Sequence, residues 1–247
     1  MNIAVCIKQV PDTETKVKIS DDKKSIVEND INFILNPYDE FGVEEALKLT
    51  DPENITIISL GPDRVTSAIR SALAMGAKNA IHIKTDSTPS DPSVTAEALA
   101  SVLKEGNYDL IFTGKQAIDD DHTQMASLLA EKMDIPAVNV VIKLAVDGGK
   151  VTAEREIEGA HEVVECQTPC IISTQRGLNE PRYASLKGIM GAKKVQIEAK
   201  DASLVDGQLE IVEYNYPAEK SAGKIVGDSA DAVPELVRLL NEEAKVI

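Results

Sequence analysis

Leu110-Ile111-Phe112-Thr113-Gly114-Lys115-Gln116-Ala117-Ile118-Asp119-Asp120-Asp121-His122-Thr123-Gln124 is an apolar, strand-like run that ends at a glycine and opens through a polar loop into a helical pattern. That is where an α/β protein holds a nucleotide. Ligands sit beyond the carboxyl ends of parallel strands, where loop N–H groups and a helix N-terminus offer partial positive charge to phosphate. Gly114 is expected to permit the close backbone approach such a loop needs. The spacing matches neither common phosphate fingerprint. A Walker loop wants a glycine where Asp109 stands and Ser or Thr where Gln116 stands, and no Gly-x-Gly-x-x-Gly occurs. Asp119, Asp120 and Asp121 read most plainly as caps of the following helix within a solvated acidic turn. No partner ligands accompany them to make a metal site.

Outward from this unit the alternation repeats. Strand-like runs at 3–7, 55–59, 80–83 and 110–113 alternate with helical periodicity, the pattern of βα units in a mostly parallel, doubly wound sheet. Val65, Ala68, Ile69, Ala72 and Leu73 share one helix face. Leu99, Val102 and Leu103 repeat the spacing in a helix opened by Asp91-Pro92 and stopped near Gly106. Met125, Leu128, Leu129 and Met133 form a third stripe behind the loop and read as core. From Val138 the pattern changes: a Gly148-Gly149 turn predicts a hairpin over 138–157, with further strands to Thr174 and the βα alternation at an end. Residues 199–228 are polar and aperiodic and read as an extended arm. A final helix is expected over 234–244 with Leu236, Leu239 and Leu240 on one face. The expected division is an α/β nucleotide-binding domain over 1–198 and a C-terminal arm and helix over 199–247. That arm is expected to dock on another subunit, with docking back on its own domain as the plainer alternative.

Composition bounds the partners. The chain has 247 residues, 43% of them hydrophobic, enough for a sizeable core, and with no Trp and three Phe that core must be mainly aliphatic. A net charge of −15 argues against nucleic acid and against an anionic membrane surface. Cys6, Cys166 and Cys170 are an odd count without CxxC spacing, so buried thiols are expected rather than a disulfide or zinc site. Strand character begins at Asn2 with no signal-like or long apolar run, which makes a reducing compartment, most simply a bacterial cytoplasm, the expectation. His82, His122 and His161 are scattered with no constellation for a triad or metal, and none is assigned catalysis.

The quoted loop closely resembles the adenosine-phosphate loop of the electron transfer flavoprotein beta subunit family. Three further segments carry the resemblance in the family's order. They are residues 1–12, MNIAVCIKQVPD; residues 36–46, NPYDEFGVEEA; and residues 178–190, LNEPRYASLKGIM. The resemblance implies an adenine-nucleotide alpha-hydrolase-like α/β fold with added β-hairpins and an extended C-terminal arm. It also implies bound AMP in this subunit and an FAD held mainly by an alpha subunit. By matching positions, the AMP contacts fall on Cys6, Asn36, Pro37, Tyr38, Asp39, Leu60 and Gly114 through Met125, although Asn36 equally suits a helix cap. Near the FAD stand Tyr38, Thr13 and Glu156. Thr13 and Tyr38 depart from relatives that carry Tyr and Phe there; the second change keeps an aromatic face and the first removes one. Glu156 reads otherwise as an exposed strand charge.

The segment 178–194 resembles the family's partner-recognition loop. Leu186 aligns with the leucine inserted into an acyl-CoA dehydrogenase pocket, Pro181 and Tyr183 stiffen the loop, and Ile189 and Met190 extend its apolar surface. Lys193 and Lys194 add rim charge, reduced by Gly191, where relatives often carry lysine.

The leading reading is thus a heterodimeric electron carrier subunit, not itself an enzyme. It shuttles electrons from acyl-CoA and other flavoprotein dehydrogenases of fatty acid β-oxidation to a downstream quinone oxidoreductase, without membrane insertion. The first rival is the beta subunit of a flavin-bifurcating relative that binds a second FAD in place of AMP and oxidises NADH. Such relatives place glycine where this chain has Asp120, whose added charge hinders a diphosphate. The second rival is an ATP-hydrolysing or adenylating enzyme, which needs a pyrophosphate signature and a metal ligand that the sequence does not show.

Overall fold

The computed structural model of the chain describes residues 1–219 and 222–247. In chain order the elements are β1 (Ile3–Cys6), β2 (Gln9–Pro11), β3 (Phe33–Leu35), α1 (Pro37–Leu49), β4 (Ile55–Gly61), α2 (Thr66–Met75), β5 (Asn79–Lys84) and α3 (Pro92–Leu103). Then follow β6 (Leu110–Gly114), α4 (Met125–Met133), β7 (Ala137–Asp147), β8 (Lys150–Ile157), β9 (Ala160–Gln167), β10 (Cys170–Thr174), α5 (Leu186–Ala192), β11 (Glu198–Asp201) and α6 (Val233–Arg238). One nine-stranded sheet runs β11-β5-β4-β1-β6-β10-β7-β8-β9, parallel from β11 to β7 and antiparallel across β7-β8-β9, with β2 and β3 forming a separate small ribbon.

The sheet is covered on both faces, which is why its central strands are Val/Ile runs rather than alternating ones. Successive residues still point to opposite layers. Ile3, Val5, Ile55, Ile57, Leu110 and Phe112 pack with Val43 of α1 and Ile69 and Leu73 of α2. Ala4, Cys6, Ile58, Leu60 and Ile111 pack with Leu99 and Leu103 of α3 and Leu129 of α4. The predicted stripes of α2 and α3 are buried as expected. In α4 only Ala126 and Leu129 are fully buried, while Met125, Leu128 and Met133 are half-buried against the second layer. Asp91 caps α3 by accepting from the Ser93 N–H at 2.8 Å. Both Gly148 and Gly149 take positive φ, 56° and 86°, in the predicted hairpin turn.

Three features differ from the sequence reading. The βα alternation does not end at Val138, because β7 joins the sheet in parallel through β10, and the antiparallel meander begins only with β8. Residues 198–201 at the head of the expected arm form β11, a parallel edge strand on β5, since the unpaired β5 edge offers a ladder that a polar sequence can fill with backbone alone. The final helix starts as α6 and widens into a π turn over Leu239–Glu243. Other arm contacts are sparse. The Gln208 and Leu209 N–H groups donate to Asp91 Oδ2 at 2.8 and 3.2 Å, Tyr214 N–H donates to the Lys23 carbonyl at 2.8 Å, and the Tyr216 hydroxyl accepts from the Ile19 N–H at 2.9 Å. Cys6 and Cys170 are buried free thiols, but Cys166 on β9 is half-buried because that strand lies outside the helical layers.

Candidate functional site

At the carboxyl ends of β1, β4 and β6 a cavity of about 100 Å³ opens between the 114–124 loop, the segment 88–90 and the starts of α3 and α4. Its floor is apolar, with Cys6, Leu60, Pro92, Leu99 and Met125, and its mouth is polar, with Lys8, Gln116, Asp120 and His122. Burial pushes the Cys6 thiol up to about 12, with neighbouring Asp39 adding to it, so the floor carries a neutral thiol.

The loop is stitched to the rest of the protein from three sides. Asn36 stands at the N-cap position of α1 but does not cap it: its Nδ2 donates to the Gln116 carbonyl at 2.9 Å and its Oδ1 accepts from the Ile118 N–H at 3.3 Å. Asp39, 4% exposed, accepts from the Lys8 N–H at 2.7 Å and the Gly114 N–H at 2.9 Å. Burial raises its carboxyl to about 7 against those bonds. Lys8 Nζ donates to Asp119 Oδ1 at 2.8 Å and Asp120 Oδ2 at 2.7 Å. Burial alone would lower the Lys8 ammonium, but the two carboxylates outweigh it and hold it above its ordinary value.

One expectation about this loop gains a cause and one is corrected. Gly114 is required by α1, because a Cβ there would overlap Asp39 Oδ1 and lie 2.8 Å from Tyr38 Cβ. The aspartates do not cap the helix, which begins at Met125 without a side-chain cap. They are drawn instead to Lys8 and, for Asp121, to Gln116 Nε2 at 2.5 Å.

Of the residues singled out in sequence, Cys6, Asn36, Asp39, Leu60, Gly114, Gln116, Ala117, Asp120, His122 and Met125 line the cavity. Pro37, Tyr38, Lys115, Ile118, Asp119, Asp121, Thr123 and Gln124 lie in the surrounding segments without lining it. The Lys115 ammonium stacks over the Tyr38 ring, 5.1 Å from its centroid. Thr13 is exposed beside Asp12, and exposed Glu156 accepts from Gln175 Nε2 at 2.9 Å.

The sequence reading missed Lys8, Thr113 and the 88–90 wall. Thr113 lines the cavity at the end of β6, and its buried hydroxyl has no partner among the described residues, which suits a site awaiting a polar ligand. The Ser-Thr-Pro-Ser-Asp-Pro run at 87–92 follows a parallel strand and precedes a helix. By the same rule that singled out the 114–124 loop it marks a ligand-side wall.

A second surface is built around α5. Arg182 forms a two-pronged pair with Glu44, Nε to Oε2 at 2.7 Å and a terminal nitrogen to Oε1 at 2.9 Å. Burial would raise the Glu44 carboxyl, yet the Arg182 bonds hold it below its ordinary value. Asn179 Nδ2 donates to Glu45 Oε2 at 2.8 Å and the Phe41 carbonyl at 3.0 Å. Ser185 caps α5 by accepting from the Gly188 N–H at 3.0 Å, and Arg70 ties the far end through the Ala192 carbonyl and the Val195 carbonyl at 2.6 Å. Leu186 therefore opens a helix rather than lying in a loop, because Ser185 supplies the cap. On this anchored frame Tyr183 is 99% exposed, Leu186 76% and Met190 61%, with Ile189, Lys193 and Lys194 also exposed and Pro181 half-buried.

Among the described residues no group of acidic, His or Cys side chains is arranged to hold a metal, and no helix is long and apolar enough to cross a membrane.

Comparison with known proteins agrees in one direction. An electron transfer flavoprotein domain matches residues 24–205. The chain is 38% identical over 250 residues to electron transfer flavoprotein subunit beta of Syntrophomonas wolfei, covering 100% of this chain and 98% of that one. It is 38% identical over 259 residues to the Bacillus subtilis subunit beta, covering 100% of both, and 34% identical over 242 residues to the Mus musculus subunit beta, covering 94% of this chain and 95% of that one.

Proposed function

The chain belongs to the electron transfer flavoprotein beta subunit family, and from that premise we propose that it is the AMP-binding, non-bifurcating small subunit of a heterodimeric electron carrier. The observation that carries the nucleotide reading is the cavity at the carboxyl ends of β1, β4 and β6, walled by a stitched loop and an uncapped helix start. The apolar floor suits an adenine ring. The N–H groups before α4 suit a phosphate. Asp120 at the mouth favours a monophosphate over the diphosphate of a second FAD, since another negative charge would stand against it.

FAD, held mainly by the alpha subunit, supplies the electron chemistry when bound. This chain contributes Tyr38, Thr13 and Glu156 toward it, docks through residues 199–247 on the alpha subunit, and presents Leu186, Tyr183 and Met190 to an acyl-CoA or other flavoprotein dehydrogenase. Electrons then pass to a quinone oxidoreductase. A reducing cytoplasm fits the three free thiols.

The deciding experiment purifies the chain with its copurifying partner, denatures the complex and quantifies released FAD and AMP per beta chain. One FAD and one AMP are expected. Two FAD and no AMP would make it a bifurcating protein.

A further inference from the structure

The aspartates at the mouth of the cavity do not do what their position invites. An Asp beside a helix start ordinarily folds back to accept from its unpaired N–H groups. Here three consecutive aspartates precede α4, whose N-cap position is Gln124 and makes no side-chain cap. Lys8 holds two of the three elsewhere. Standing just beyond β1, on a different element from the loop, it draws both Asp119 and Asp120 onto one ammonium. Asp39 fixes the Lys8 backbone by accepting its N–H at 2.7 Å, so the ammonium is tethered close to the loop. Only Asp120 returns to the loop backbone, its Oδ1 accepting from the His122 N–H at 3.0 Å while Oδ2 stays on Lys8.

Resting on the reading that this cavity takes a nucleoside monophosphate, we propose that Lys8 is a positioning residue that holds Asp119 and the Oδ2 of Asp120 away from the helix-start N–H groups and compensates their charge, leaving those donors to the phosphate. Two effects act together. Without Lys8, Asp119 loses its ion pair and Asp120 keeps only the His122 N–H and the His122 ring at 3.7 Å, so both carboxylates are freer to turn toward the unpaired helix-start N–H groups. They also become uncompensated negative charges beside a dianion. Lys8 has three N–H donors, of which two are engaged, so it can hold both aspartates at once. Adenosine has no phosphate and does not compete for the same N–H groups, so a loss confined to the phosphorylated ligand separates this role from general support of the fold.

The test uses the full chain with its copurified partner, stripped of nucleotide by nucleotidase and dialysis, and measures AMP and adenosine affinity by equilibrium dialysis. Lys8→Met should weaken AMP on the order of tenfold or more, the scale of a lost charge-assisted contact. Adenosine should weaken by less than about threefold, within the range of a minor packing change. Adding Asp119→Ala and Asp120→Ala to Lys8→Met should restore most of the AMP affinity, because the competitors are gone. Equal losses of AMP and adenosine in Lys8→Met would overturn the proposal, leaving Lys8 a support of the fold. A triple variant as weak for AMP as Lys8→Met alone would also overturn it, by making Lys8 a direct phosphate ligand. A wild-type complex that binds neither ligand would instead remove the nucleotide reading on which the proposal stands.

Discussion

Asp39 joins two strand ends from inside the protein, accepting from the N–H groups of Lys8 and Gly114 beyond β1 and at the end of β6. Its carboxyl is raised from 3.8 to about 7, chiefly by burial. The sign follows directly. A carboxyl raised in the folded state adds stability that is fully present below its unfolded pKa and is lost as pH rises through the folded one. Urea unfolding should therefore show a stability decline between about pH 4 and pH 7 in the wild type that Asp39→Asn makes shallower. Identical pH slopes in the two proteins would show that Asp39 does not titrate there. Single residues were the least legible part of the sequence. Family resemblance singles out Asp39 and Asn36, but their bonds to Lys8, Gly114, Gln116 and Ile118 cross tens of residues that no local pattern connects. Lys8 was passed over because a lone cation after a strand carries no periodic signal.

Elements were legible where one face repeats. The stripes of α2 and α3 and the Gly148-Gly149 hairpin are visible because burial imposes a period and a two-glycine turn imposes backbone signs. Helix α5 was hidden, being short and held from outside by Glu44, Arg70 and the Ala74 backbone rather than by a stripe of its own. Gly188 packs so closely on α2 that a Cβ would overlap the Ala74 carbonyl oxygen. Gly188→Ala should lift α5 and cost on the order of 1–3 kcal/mol, as overpacking does, measured by denaturant unfolding. An unchanged midpoint would show that α5 has room to shift. Leu186→Ala lies on the exposed side and should cost less than about 0.5 kcal/mol. It should nevertheless slow electron transfer from the dehydrogenase at unchanged FAD content. Loss of FAD would mark Leu186 as structural.

At the scale of the whole molecule, the class of sheet was legible and its strand order was not, since order depends on which edge a returning strand finds. The arm divides the same way. Residues 198–209 touch the α/β body through β11 and Asp91, whereas α6 leaves Val233, Leu236 and Val237 about half exposed. Removing residues 222–247 should therefore weaken association with the alpha subunit in analytical ultracentrifugation while the thermal midpoint of the remaining chain stays nearly unchanged. Undiminished association would assign the docking elsewhere. The strand order also has a consequence during synthesis. β10 fills the gap between β6 and β7, so a nascent chain that has emerged through β9 holds two open strand edges in the middle of its future sheet, not at its margins. Until Thr174 clears the ribosome the two halves cannot join, and the pairing that joins them is long-range on both sides of β10, the kind that is slow to form and leaves strand edges open meanwhile.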